Sequence, residues 1–178
     1  MDIALLNRQN FSRKSLDSFS RYQTVKNVYR LADGALRLVE QPFTEDWTPA
    51  RKDEKAREIL AGKHIVYGAF ADGCIVGILM LLPELEHGRM IVDSFHVSAE
   101  WRRRGIGRAL LAAAKEEALR HGADALYVSA CSAQETIDFY RAMGFAVSAR
   151  PIRSYAEDEP YDVQMECALC PAQKPTLQ

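Results

Sequence analysis

Apolar and polar positions between residues 64 and 131 predict a β-sheet with one long helix inserted in it. Four runs are short and rich in β-branched and aromatic residues, as expected for largely buried strands. Asp72-Gly73 is suited to a tight hairpin turn between the first two runs. The predicted strands are residues 64–71, 74–82, 88–97 and 125–131.

The stretch 106–121 changes to a helical period. Its apolar residues recur on one face, and Gly122 is positioned to end the helix. The strand at 125–131 is then expected to run parallel to the strand at 88–97, through a right-handed crossover. The pattern therefore predicts a mixed α/β (α+β) fold, with a mostly antiparallel sheet flanked by helices.

The N-terminal third carries weaker signals. Phe43 and Trp47 are predicted to be exposed in a loop before the last helix of this region. The pattern predicts a strand at 2–6, a short helix at 12–19, a hairpin of 24–31 and 35–39 around Asp33-Gly34, and a helix at 49–60.

The chain beyond residue 131 predicts one more helix and a closing pair of strands. Ser132 and Glu135 have the spacing of a capping box, and Gly144 ends the helix with Phe145 behind it. The strands are predicted at 145–150 and 162–169 around a polar loop at 154–160, before a disordered tail at 171–178.

Length and composition fit one domain. The chain has 178 residues, of which 48% are hydrophobic and 26% charged, and its formal net charge of −1 argues against a broad nucleic-acid-binding face. The longest apolar run, 75–82, is far shorter than the ~20 residues that span a membrane. Asp2 stands where a signal peptide carries basic residues. We therefore expect a cytoplasmic protein with no membrane or nucleic-acid partner.

The four cysteines are too few and too scattered for a disulfide framework. Cys167 and Cys170 have the spacing of half a zinc knuckle, but no second Cys or His pair accompanies them. We assign no metal site from the sequence.

Residues 102–108 carry the strongest chemical signal. They read Arg-Arg-Arg-Gly-Ile-Gly-Arg, where a strand has ended and a helix begins. The first N–H groups of a helix lack an intrahelical partner and carry the positive end of its dipole. Gly105 and Gly107 have no Cβ to keep an anion away, and the arginines pair with phosphate oxygens. The turn predicts a phosphate or pyrophosphate site.

Two common phosphate motifs do not fit this turn. A P-loop requires lysine after its second glycine, and a dinucleotide fingerprint requires a third glycine where the chain has Leu110. A solvated arginine-rich turn is the alternative for an isolated basic triplet. The two glycines weigh against that alternative, because glycine near a helix start costs stability unless the backbone needs the room.

The pattern Arg102-x-x-Gly105-x-Gly107, after a strand and before an amphipathic helix, resembles the acetyl-CoA motif of the GCN5-related N-acetyltransferases (GNAT). Residues 132–145 resemble the second hallmark of this family, a helix with an aromatic-Tyr pair that ends in Gly-Phe. The chain departs at Ala133, where the family commonly has Asn, and at Thr136, where it commonly has Ala. The missing asparagine would remove one polar contact to the pantetheine arm.

The resemblance implies an architecture and a co-substrate. It implies one acetyltransferase domain over 1–170, with a variable acceptor-side region at 1–62, an acetyl-CoA-binding core at 64–168 and a tail at 171–178. The parallel strand pair is expected to splay, so that the pantetheine arm pairs with the free edge of residues 93–97. The implied cofactor-binding residues are Phe95, His96, Val97, Arg102, Arg103, Arg104, Gly105, Ile106, Gly107, Arg108, Ser132 and Tyr140.

The resemblance also implies catalytic roles. Tyr140 matches the tyrosine that commonly protonates the leaving thiolate, and a backbone N–H near residue 95 or 97 would polarise the thioester oxygen. Asp93 stands where family members often carry an acid that deprotonates the amine. Glu84, Glu86 and His96 are the alternatives for that base.

Our first functional hypothesis is an acetyl-CoA-dependent N-acetyltransferase that acts on a small primary amine by direct attack in a ternary complex. A protein or peptide N-acetyltransferase is the alternative within the fold, and a non-catalytic acyl-CoA sensor is the alternative from another class. The acceptor is not identified by the sequence, and the oligomeric state, a homodimer included, stays open.

Overall fold

The structure is a computed structural model that describes residues 1–170. Nine strands and four α-helices are assigned in this part of the chain. The strands are β1 (Asp2–Leu5), β2 (Gln23–Ala32), β3 (Ala35–Glu45), β4 (Ile65–Ala71), β5 (Cys74–Leu81), β6 (Arg89–Val97), β7 (Ala125–Ala130), β8 (Ala146–Val147) and β9 (Val163–Ala168). The helices are α1 (Pro49–Leu60), α2 (Ile106–Arg120), α3 (Gln134–Ala142) and α4 (Arg153–Asp158).

Seven strands form one sheet in the order β1-β4-β5-β6-β7-β9-β8, while β2 and β3 form a separate hairpin. All neighbours are antiparallel except β6 and β7, which are parallel and pair only from Arg89 to Ile91 on the β6 side. Beyond that point both strands continue without pairing to each other. The predicted fold class and its parallel pair are confirmed, and a gap opens between the ends of the pair.

Helices cover both faces of the sheet. The buried side of α2, with Leu110 and Ala114 at its centre, packs on β4, β5 and β6. On the opposite face, Ala56 and Ile59 of α1 pack with Met80 of β5 in a second apolar cluster. Thr48 caps α1 by accepting a hydrogen bond from the N–H of Arg51 at 3.2 Å, so this predicted helix begins where expected.

The predicted helix at 12–19 is wrong. The segment is a series of turns, each closed by a hydrogen bond from an N–H to the carbonyl three residues earlier. This conformation buries Phe11, Leu16 and Phe19 against α1 and the sheet. The Ser15 hydroxyl accepts from the N–H of Ser12 at 2.9 Å. Such local side-chain bonds offer the backbone an alternative to the helical hydrogen bonds, and burial of the three apolar residues selects it.

The predicted hairpin is confirmed but longer than expected, because β3 continues to Glu45. Pro42 is tolerated where the register shifts between Val25 and Asn27 of β2, a position that needs no N–H donor. Phe43 packs against Val25 instead of facing solvent. The prediction of two exposed aromatics was therefore wrong, and the role of Trp47 is described with the site below.

Three C-terminal predictions are corrected. The strand at 145–150 is reduced to Ala146–Val147, because the backbone leaves the sheet where the Ser148 hydroxyl bonds to Glu166 and the N–H of Arg150. The polar loop at 154–160 contains helix α4. The capping box is absent: α3 begins after Ala133 with no side-chain cap. The predicted disordered tail lies outside the described residues.

Within residues 1–170 no helix combines the length and apolar character needed to cross a lipid bilayer.

Candidate active site

The turn before α2 contains two residues with a positive φ, Gly105 and Arg103, and only the glycine adopts such an angle readily. Gly105 has a φ of 82° and stands at the N-cap position, where a side chain would be strained. Gly107 has an ordinary φ but lies against α3, since a Cβ there would come within 3.2 Å of the Phe139 ring. Arg103 also takes a positive φ of 63°. The two glycines therefore let the turn form and let two helices approach each other.

The arginines of this turn make different contacts. Arg102 donates from Nε to the carbonyl of Val97 at 3.1 Å and so ties the turn to the end of β6. The Arg104 guanidinium lies over the Trp101 ring, 4.8 Å from its centre. Arg103 and Arg108 instead face a cavity between the start of α2 and helix α3.

We call this cavity the helix groove. It has a volume of about 1020 Å³ and lies between the turn with Gly105 and Gly107, the end of β6 and one side of α3. Cationic side chains, the start of α2 and apolar side chains such as Phe139 and Met143 thus line one cavity. This arrangement suits a ligand with a diphosphate at one end and a thin arm along the rest.

A second, smaller cavity of about 210 Å³ occupies the gap between β6 and β7, and we call it the strand cleft. It begins beside a bulge in β6: Leu81 of β5 pairs with Val92 and Met80 pairs with Ser94, so Asp93 is an extra residue. A bulge turns a strand away from its neighbour and re-aims its side chains. Asp93 therefore lines the strand cleft.

The helix groove and the strand cleft meet at shared walls. The residues that line both are Gln23, Phe95, Val97, Arg102, Thr136 and Tyr140. Tyr140 is buried by the rings of Phe95, Phe139 and Phe145, with ring centres 5.0 to 6.3 Å away. Burial raises the pKa of the Tyr140 hydroxyl, which therefore stays protonated at neutral pH, and it bonds to no side chain of the described residues. A proton donor thus stands where the two cavities join.

His96 is locked as a neutral ring. Its Nδ1 accepts from Nε of Arg21 at 2.9 Å, and the Trp47 ring lies edge-on to it at 4.7 Å. Burial lowers the pKa of His96 well below its usual value, and the Arg21 charge lowers it further. With Nδ1 occupied, the proton is on Nε2, and no ring lone pair is left for a substrate proton. His96 is therefore unsuited to act as the general base.

Several other predicted site residues lie outside both cavities. Ile106 is buried in the core, and the Ser132 hydroxyl accepts from Arg30 at 2.6 Å. Arg104 lines neither cavity, and the same holds for Glu84 and Glu86, two of the alternatives for the base. The predicted residues that line a cavity are Asp93, Phe95, His96, Val97, Arg102, Arg103, Gly105, Gly107, Arg108 and Tyr140.

The strand cleft also contains residues that sequence reasoning missed. Arg21 lies in the cleft because the residue before it, Ser20, is hydrogen-bonded next to the end of β6. The N–H of Ser20 donates to the Ser98 hydroxyl at 3.0 Å. Asp162 lies in the cleft because it directly precedes β9, and the first residue of β9 pairs with Ala130 at the end of β7. Neither residue belongs to a motif, so no local signal marks it.

Behind the bulge, Asp93 meets two other groups that resemble metal ligands. Glu58, His64 and Asp93 each place one ligand atom within 4.8 Å of the others. The Lys55 ammonium already pairs with Glu58 at 2.6 Å, and Nε2 of His64 lies 3.4 Å from Asp93. Through one ion pair and one histidine–carboxylate contact, the cluster connects the bulge of β6 to α1.

Solved structures similar to this chain share its fold. A nourseothricin acetyltransferase superposes with a TM-score of 0.72 at 20% identity, covering 95% of this chain and 98% of that one. A putative streptothricin acetyltransferase from Bacillus anthracis, in complex with acetyl coenzyme A, superposes at 0.71 with 14% identity, covering 96% and 100%. The ribosomal-protein-S18-alanine N-acetyltransferase of Escherichia coli reaches 0.60 with 13% identity, covering 99% and 98%.

Comparison with curated proteins gives no match. The model of the acetyltransferase (GNAT) family matches residues 32–145. This range includes every residue that lines both cavities except Gln23. The co-substrate of such enzymes is acetyl-CoA, in keeping with the groove that faces the start of α2. By this match over more than half of its length, the chain belongs to the GNAT family of acetyltransferases.

Proposed function

We propose that the protein transfers the acetyl group of acetyl-CoA to a primary amine of a small molecule, by direct attack within a ternary complex. The observation that carries this proposal is the junction of the two cavities at Tyr140. One ligand can enter by the helix groove and the other by the strand cleft, so that their reactive groups meet beside the tyrosine hydroxyl.

The helix groove supports the donor half of the proposal. The diphosphate of coenzyme A would be held by the free amides at the start of α2, with Arg103 and Arg108 beside them. The pantetheine amides would pair with the edge of β6 beyond Ile91, which is free of β7. Backbone donors near Phe95 would then face the thioester oxygen.

The residues of the junction support the chemistry. Tyr140 keeps its proton at neutral pH and can give it to the thiolate as the carbon–sulfur bond breaks. The acceptor amine must lose a proton before attack, and Asp93, the base predicted from the sequence, lines the strand cleft. Burial raises the pKa of Cys131, the cysteine in the cleft, so this thiol does not provide the thiolate needed for an acetyl-enzyme intermediate.

The size of the strand cleft favours a small acceptor. A cavity of about 210 Å³ holds an aminoalkyl chain but not a folded protein segment. Two of the similar structures, with TM-scores of 0.72 and 0.71, are named for nourseothricin and streptothricin, both small molecules. A peptide acceptor would need an open groove on this side.

A thiol-release assay with purified protein and acetyl-CoA tests the proposal. The acceptor panel would contain nourseothricin, kanamycin, spermidine, free lysine and a peptide with an N-terminal alanine. We expect turnover with at least one of the small amines and none with the peptide. Turnover with the peptide alone would favour a protein acetyltransferase. Coenzyme A binding by calorimetry without turnover on the whole panel would favour the sensor.

A further inference from the structure

The strand cleft contains a second carboxylate that the sequence did not predict. Asp162 precedes β9 and lines the cleft from the β7 side, whereas Asp93 lines it from the bulge of β6. Two carboxylates therefore compete for the role of proton acceptor. They differ in what already surrounds them.

Asp93 has an existing partner. Its Oδ2 lies 3.4 Å from Nε2 of His64, in the network that also contains Glu58 and Lys55. A further acid near the cleft, Glu45, is paired with Arg21 at 2.6 Å. Both groups therefore already have a side-chain partner in the protein before a substrate arrives.

Asp162 has no such partner. Among the described residues its carboxylate forms no ion pair and no side-chain hydrogen bond, although it is half-buried. Burial, together with the charges of Glu159 and Glu45, raises the pKa of Asp162 to about 6 against the opposing charge of Arg30. Buried carboxylates are normally paired, and one left unpaired in a cavity commonly marks a place for a cationic ligand.

We propose that Asp162 receives the ammonium group of the acceptor and accepts its proton. This inference rests on the proposed function and names the residue that makes the amine nucleophilic. It also defines the acceptor as a cationic amine, because a neutral or anionic molecule would leave the carboxylate unpaired in the cleft.

The proton balance of the reaction is then complete. The ammonium gives one proton to Asp162, which later passes it to solvent. The free amine attacks the thioester carbon, and the carbon–sulfur bond breaks while the thiolate takes the proton of Tyr140. The new amide nitrogen loses its second proton to the tyrosine oxygen, which restores Tyr140. One acetyl group moves and one proton is released for each turnover.

Three variants test the inference: D162N, D93N and, as a control, D158N, an exposed acid at the end of α4. Their kcat/KM values would be measured from pH 5 to 9 with the small amine that wild type turns over fastest. We expect wild-type kcat/KM to fall below about pH 6, where Asp162 is protonated. We expect D162N to lose on the order of 100-fold and to lack this fall. Acetyl-CoA affinity and D158N should be unchanged.

Other results would overturn the inference. If D162N keeps wild-type kcat/KM and the acidic fall persists, Asp162 is not the proton acceptor, and a loss confined to D93N would assign the role to Asp93. A D162N variant that raises KM but keeps the pH profile would refute proton transfer. These outcomes leave the proposed function standing, whereas wild type that acetylates no amine in the panel would remove both.

Discussion

The helix groove and the strand cleft are built in different ways. The groove takes most of its lining from two continuous stretches, the end of β6 with the turn before α2, and helix α3, and residues 22–24 complete it. The cleft also draws on Arg21, the β7 end and Asp162, which lie far apart in the chain. A site for a universal co-substrate can be encoded in a local motif, whereas a site for a particular acceptor is assembled by the fold from scattered residues.

This difference separates two kinds of substitution. Changes in the groove should weaken binding of acetyl-CoA whatever the acceptor, and changes in the cleft should alter the response to the amine. Tyr140 belongs to both cavities and should therefore affect the chemical step itself.

The largest effect is expected from Y140F. Loss of the hydroxyl removes the proton donor for the thiolate, so kcat should fall on the order of 100-fold. Acetyl-CoA affinity measured by calorimetry should stay within about twofold, since the ring packing remains and the hydroxyl bonds to no side chain within residues 1–170. Y155F removes a hydroxyl from α4, outside both cavities, and serves as the control. Wild-type kcat in Y140F would remove Tyr140 from the mechanism.

R108A should have the next largest effect, on binding alone. Arg108 faces the helix groove, so its loss should raise the Kd for coenzyme A roughly tenfold, and less so at high salt. The matched change R104A should raise the Kd much less, because the Arg104 guanidinium lies on Trp101. The kcat at saturating acetyl-CoA should be unchanged in both. Equal Kd values for the two variants would mean that Arg108 does not hold the phosphates.

G105A and G73A form a matched pair with a smaller effect. Both glycines have a positive φ, 82° and 74°, and a Cβ at either meets no atom within 4 Å. Each alanine should lower the free energy of unfolding by about 1 kcal/mol, measured in urea, through backbone strain alone. Only G105A should also weaken coenzyme A binding, since it distorts the turn before α2. If G73A weakens binding to the same extent, the effect comes from general destabilisation.

The last expected effect is on stability, in D162N. The pKa of Asp162 is about 6 in the folded protein against 3.8 for an unperturbed aspartate, so the folded state binds this proton more tightly than the unfolded chain. Ionisation of the carboxylate therefore lowers stability as pH rises from about 4 to about 6. D162N lacks this loss, so its Tm relative to wild type should rise through that window and then level off. D158N should show no such trend. A flat difference would mean that Asp162 is not perturbed by its surroundings.

The sheet and the groove were predictable from the sequence because their signals are short-range. Strand and helix periods, the turn at Asp72-Gly73 and the glycines before α2 each act over a few residues. The failures have a shared cause. Residues 12–19 carry serines at plausible cap positions, yet burial of Phe11, Leu16 and Phe19 decides their conformation. Ser132 has the spacing of a capping box, yet its hydroxyl accepts a hydrogen bond from Arg30 and does not cap α3.

The sequence by itself determined the family, the strand order leading into α2 and the turn with two glycines before that helix, because these depend on residue types at fixed local spacing. Only the tertiary structure decided that His96 is held neutral by burial and by Arg21, that Arg104 lies on Trp101, and that Asp162 lines the cleft without a side-chain partner among residues 1–170. Protonation and pairing depend on what surrounds a group in space. Those neighbours come from chain segments that meet only when the sheet has formed.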